Sequence, residues 1–168
     1  MSDLTIESID SSSDEELFAL LGKELQKRIS AQKGSPEFLS EIRRLPVGLR
    51  AMAATHELDV SLALDDLGWH FGNWHSTDLA DETARGLEEL EAMDLARIFG
   101  EAFRIAQGYW EELGAEDWAT WYHGSRLETA VEPLTKQARL ILSEKKIGIF
   151  KYWVDYARRY PELVGVVT

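Results

Sequence analysis

The chain has 168 residues, 45% of them hydrophobic, and a formal net charge of −12 from 18 basic and 30 acidic side chains. Such a length builds a full core without disulfides or metal, and the absence of cysteine excludes disulfide bonds, thiol catalysis and thiolate metal sites together. The charge is uneven: residues 1–75 carry thirteen acids and seven bases, 76–117 twelve and three, and 118–168 five and eight, so phosphate repulsion disfavours direct nucleic-acid binding over the middle.

Residues 1–11 are polar, acidic and aperiodic and read as a flexible arm, leaving 12–168 as a single all-helical domain. The N-terminus has neither the basic end nor the apolar run of a signal peptide, and no segment suits a membrane span, so a cytoplasmic protein with no membrane partner is expected. Ser13 with Glu16 has the form of a capping box. The helix it opens runs to about Ala31, buries Leu17, Phe18, Leu21, Leu25 and Ile29, and is stopped by Gly34. Ser35 and Pro36 start a short helix to about Arg44. From Pro46 to about Phe71, Leu49, Met52, Ala53, Val60, Ala63, Leu64 and Leu67 predict a central helix of about seven turns. It ends in DDLGWHFGNWHSTD, residues 65–78, which predicts an aromatic helix end, a tight turn, and a new start at Thr77.

Residues 77–91 predict a helix with Leu79, Thr83, Leu87 and Leu90 inward and the acids outward. Residues 93–113 predict another, burying Leu95, Ile98, Phe99, Ala102, Ile105, Ala106, Tyr109, Trp110 and Leu113, with Gly114 as C-cap. A short aromatic helix follows at 116–123 and breaks at Gly124 and Ser125. Pro133 opens or kinks the next helix, which carries Leu134, Ala138, Ile141 and Leu142. The last runs from about Ile147 to Tyr160 with Phe150, Trp153, Val154 and Ala157 on one side, stopped by Pro161. Only VGVVT at 164–168 has strand character, and it has nothing to pair with. The expected fold is an all-α, single-domain bundle of about seven or eight helices around a long central helix.

Few residues are placed for chemistry. No nucleophile elbow and no phosphate loop is present, and no cofactor is expected. Asp66 and His70 stand one turn apart, and His75 folds back after the turn, so Asp66, His70 and His75 are the one candidate metal set, the basis of an alternative reading as a metal-dependent enzyme. His56 shares a face with His70, but on one helix the two stand about 21 Å apart.

The acids point elsewhere. Asp78, Asp81, Glu82, Glu88, Glu89, Glu91, Asp94, Glu111 and Glu112, with Trp74 and Trp118 as partly exposed anchors, are the candidate residues for docking a basic protein surface. Ion pairs at helical spacing, Asp94 with Arg97, Arg97 with Glu101 and Glu101 with Arg104, are the plainer use of such charges. Duplex DNA carries about one charge per 1.7 Å, so a ~30 Å helix competes with roughly eighteen phosphates, and −9 over 76–117 is half that. The basic tail folds back on the acidic helices or reaches a second copy, with Leu163, Val166 and Val167 beside Trp118 as an apolar patch. A monomer or weak homodimer is expected.

The order of a long apolar helix, GWHFGNW at 68–74 and LADETARGLEELEAMDLARIFGEA at 79–102 resembles a family of small acidic all-helical bacterial DNA-mimic proteins and their uncharacterised relatives. The likeness spans residues 46–113. Phe71 and Asn73 fall where that family has an aromatic and an asparagine in its turn, and Leu87, Glu89 and Ala102 suit the two helices that follow. Where the family carries an asparagine-glycine-glycine run, this chain has Leu64, Asp65 and Asp66. The resemblance implies a non-enzymatic regulatory protein that occupies the basic surface of a DNA-binding regulator.

Overall fold

Free backbone N–H groups at a helix start need acceptors, and the side chains of Thr5, Ser13, Ser35, Asp66, Ser76 and Ser125 supply them. The computed structural model describes residues 4–165 and contains, among them, eleven α-helices, a closing 3-10 turn and no strand. They are α1 (Ile6–Ser11), α2 (Asp14–Arg28), α3 (Pro36–Ile42), α4 (Val47–Leu64), α5 (Leu67–Asn73), α6 (Thr77–Glu89), α7 (Met93–Gln107), α8 (Trp110–Leu113), α9 (Trp118–Tyr122), α10 (Arg126–Ser143) and α11 (Phe150–Arg159), with the turn at Pro161–Val164. Eight of these helices have seven residues or more, and the all-α bundle expected from the sequence is the fold.

The N-terminal segment differs from the expected arm. Ser8 N–H donates to Thr5 Oγ1 at 3.1 Å and Thr5 N–H to Ser8 Oγ at 2.9 Å, a reciprocal cap that starts α1. Leu4 and Ile9 are buried in the core beside it. Residues 1–3 of the expected arm lie outside the described residues.

The central helix is also shorter than expected. It divides at Asp65 and Asp66, and both new ends are tied. Arg139 of α10 donates to the carbonyls of Leu62 (2.8 Å) and Asp65, closing the C-terminus of α4. Asp66 Oδ1 accepts from Trp69 N–H at 2.8 Å, and Leu67 N–H donates to Thr135 Oγ1 at 3.1 Å, opening α5. The chain therefore turns and lays α5 against α4, α7, α9 and α10. Gly68 and Gly72 make that packing possible, since a Cβ on either would overlap the ring of Tyr122 or Trp118.

Two core clusters share α4. Leu49, Met52 and Ala53 meet α1, α2, α3 and α11, while Leu58 and Leu62 meet α5, α7 and α10. The helix at 93–113 divides into α7 and α8 at Gly108 and Tyr109. Pro133 does not open the helix: α10 starts at Arg126, after the Ser125 cap, and carries Pro133 inside it on its exposed face, with Leu127, Val131, Leu134 and Ala138 buried on the other. Val164 is buried in the 3-10 turn and Gly165, with φ +84°, follows it, so neither is extended; residues 166–168 of the expected strand lie outside the described residues.

Candidate functional site

The turn that opens α6 is set by Ser76, whose Oγ accepts from Leu79 N–H at 3.2 Å. With Leu79, Thr83, Gly86 and Leu87 facing inward, Asp78, Asp81 and Glu88 face solvent. Leu95, Ile98, Phe99, Ala102 and Ala106 orient α7 in the same way and leave Asp94 and Glu101 outside. Glu111, Glu112, Glu116 and Asp117 are exposed around α8 and the turn that follows.

Three of the expected docking carboxylates are engaged within the molecule. Glu82 is only 3% exposed. Its two oxygens accept from Arg43 Nε at 2.8 Å and from Arg50 Nε and Nη2 at 2.8 and 2.7 Å. Burial pushes its carboxyl up, but the two guanidiniums outweigh that and hold it below the ordinary glutamate value. Glu82 is thus a structural anchor and leaves the docking set. Glu89 accepts from the Tyr156 hydroxyl, whose pKa rises through burial and that carboxylate. Glu91, the one non-glycine residue with positive φ among the described residues, pairs with Arg159 and accepts from Tyr160 at 2.9 Å.

The remaining acids have no such partners. Asp78, Asp81, Glu88, Asp94, Glu111 and Glu112, joined by Glu116 and Asp117, form no ion pair or side-chain hydrogen bond among the described residues. Of the three ion pairs expected along α7, only Arg97 with Glu101 occurs, at 3.9 Å. Three of the tail bases go to α2. Arg158 and Lys151 pair with Asp14, Lys151 at 3.0 Å, and Lys146 with Glu15 at 2.6 Å. These contacts pull the carboxyls of Asp14 and Glu15 below their ordinary values. Only Arg159 folds onto the acidic segment.

Trp74 and Trp118 are half-buried, as expected, and both lie over glycines. The Trp74 ring covers Gly34, which has φ +80°, and Trp118 covers Gly72 beside Trp69, with ring centroids 4.7 Å apart. Trp118 belongs to the α5–α10 core and Leu163 to the other, so the apolar patch expected from that pair is not assembled. Val166 and Val167 lie outside the described residues.

The alternative metal set is not assembled either. Asp66 Oδ1 serves Trp69 N–H and the Tyr122 hydroxyl, at 2.8 and 2.7 Å. His70 Nδ1 is 2.8 Å from Ser61 Oγ in a buried site, and burial lowers its pKa to about 4. His75 stacks on Trp110 with centroids 4.3 Å apart and bonds the Trp110 carbonyl oxygen from Nε2 at 2.8 Å. The three side chains thus engage three different helices, α9, α4 and α8. No group of three metal-ligating side chains occurs among the described residues. His56 lies beside Glu57 and Lys33 instead.

Compared with protein-family models, curated proteins and solved structures, the chain matches none. Among the described residues no helix is long and apolar enough to cross a membrane.

Proposed function

We propose that the protein is a non-enzymatic interaction module whose exposed carboxylates on α6, α7 and α8 dock a basic protein surface, and that the partner is a DNA-binding regulator whose nucleic-acid surface they occupy. The observation that carries this is the distribution of counter-charge. Lys146, Lys151 and Arg158 of the tail are tied to Asp14 and Glu15 at the start of α2; Glu82 and Glu91 have their own arginines, and the exposed acids Asp78, Asp81, Glu88, Asp94, Glu111, Glu112, Glu116 and Asp117 have no ion pair among the described residues. Exposed like charges repel one another, and a basic partner relieves that repulsion and speeds encounter. Half-buried Trp74 and Trp118 supply the aromatic area that a hot spot needs beside such charges.

The test is capture of partners on immobilised protein at about 0.1 M salt, followed by elution at about 1 M, where the screening length falls to ~3 Å. A quadruple variant, Asp78→Asn, Asp81→Asn, Glu88→Gln and Glu112→Gln, is run alongside. The same DNA-binding protein must be released from the wild type by salt and be missing from the variant. Capture that is indifferent to both changes refutes the proposal.

A further inference from the structure

Between Ile105 and Ser125 the chain has five tyrosines and tryptophans, four acids, and neither lysine nor arginine. The stretch folds as two short helices, α8 and α9, of four and five residues, too short to stand on helix propensity alone. Apolar contacts hold them instead: Leu113 and Tyr122 are buried, and the Trp118 ring lies over Gly72 of α5.

The larger rings give only part of their surface to that task. Trp69 and Trp118 have centroids 4.7 Å apart, Trp118 and Trp121 stand three apart on α9, and Trp121 meets Tyr109 at 6.0 Å. All four are half-buried, so a row of aromatic surface runs from α5 across α9 to the start of α8. Exposed Glu111, Glu112, Glu116 and Asp117 flank this row along the chain, with no ion pair among the described residues. None of the protein's own cations uses these rings: among the described residues, the cation–ring contacts are Lys145 on Tyr152 and Arg159 on Tyr160.

Open rings beside unpaired carboxylates suit a group that serves both. A guanidinium lies flat on an indole and keeps its N–H groups in plane, directed outward to carboxylates at the edge of the ring. An ammonium is a compact charge that must shed tightly held water to do the same. A purely apolar partner would desolvate the acids without supplying counter-charge. Bases of nucleic acid also stack on aromatic rings, but they bring phosphates, which these acids repel.

We propose that this aromatic row seats arginine side chains of the protein partner, their guanidiniums stacked on Trp118 and Trp121 and paired with the neighbouring carboxylates. The inference rests on the docking reading and adds that the basic surface presents arginine, not lysine, at this point. The probes are an acetylated peptide of three arginines alternating with glycine and its lysine counterpart, equal in charge. Each is titrated into the full chain at about 0.05 M salt, where screening is weak, and followed by amide and indole NMR shifts.

The arginine peptide is expected to bind about fivefold more tightly, the gain carried by one exposed cation–π contact, and to move the indole signals of Trp118 and Trp121. Trp121→Leu, which keeps an apolar side chain on the core, is expected to reduce the preference below about twofold. Glu116→Gln with Asp117→Asn, at exposed positions without partners, is expected to weaken both peptides and keep the preference. Equal binding of the two peptides by the wild type overturns this inference while leaving the docking reading to its own capture test. Binding of neither peptide at millimolar concentration, shifts confined to other indoles, or an undiminished preference in folded Trp121→Leu overturns it as well.

Discussion

Replacing His70 by glutamine should change the pH dependence of stability in a direction and amount fixed by its surroundings. The ring is buried against Phe71 and Phe99 at centroid distances of 5.5 and 5.8 Å, with Ser61 Oγ on Nδ1. Burial holds its pKa at about 4, against 6.5 for an ordinary histidine. Between those values the unfolded chain takes up a proton that the folded chain refuses. Stability contributed by the neutral ring is therefore complete above about pH 6.5 and is lost as the pH falls toward 4. At about 1.4 kcal/mol per pH unit the loss reaches about 3 kcal/mol at pH 4. Glutamine keeps a polar group for Ser61 but gives up ring packing, which costs about 1–2 kcal/mol at neutral pH. Urea unfolding from pH 7 to 4 should thus show the wild type more stable at pH 7, the two curves crossing near about pH 5, and the variant more stable at pH 4. Carboxylates that titrate in the same range are common to both proteins and cancel in the difference. Parallel curves would show that His70 accepts its proton in the fold and would refute the reasoning.

Glu82→Gln should lower stability by about 2 kcal/mol, less than a fully buried pair because Arg43 and Arg50 are partly solvated, as read from urea midpoints at pH 7. Asp66→Ala removes the cap of α5 and the acceptor of the Tyr122 hydroxyl, and should cost about 2 kcal/mol. Asp66→Asn, which still caps, should cost clearly less in the same assay. Gly72→Ala places a methyl group where the Trp118 ring lies and should destabilise by about 1–3 kcal/mol, with a red shift in tryptophan emission as the indole is displaced. An unshifted spectrum and unchanged midpoint would mean that α5 and α9 do not pack as described.

Most helices could be read directly because their signals are local. Ser13 with Glu16, Ser35 with Pro36, and the inward row Leu79, Thr83, Leu87 and Leu90 all act within one or two turns. The break at Asp65 is hidden in the sequence because Leu64 and Leu67 continue the helical period across it. What decides it is the hold of Arg139 and Thr135, about seventy residues further on. The two aspartates before Leu67 and Trp69 are the N-cap signal that was available. Glu82 is a similar case: it lies three residues after Leu79 and beside Thr83, on the inner edge of α6, but its partners Arg43 and Arg50 are 39 and 32 residues away. The cap that starts α1 was legible in Thr5 and Ser8, and the burial of Ile9 was not, since a six-residue helix shows little periodicity. The Asp66, His70 and His75 grouping rested on one-turn spacing and on His75 folding back after the turn; the spacing holds, but Asp66 is taken by Tyr122, His70 by Ser61 and His75 by Trp110.

Competition for DNA tests the docking claim most directly. A DNA-binding partner, once identified by salt-sensitive capture, is loaded with labelled duplex, and this protein is titrated in while anisotropy is followed. The account predicts stoichiometric release of DNA by the wild type, weakening steeply as salt is raised, and no release by the variant neutralised at Asp78, Asp81, Glu88 and Glu112. Equal release by wild type and variant, or a ternary complex that keeps its DNA, would contradict it.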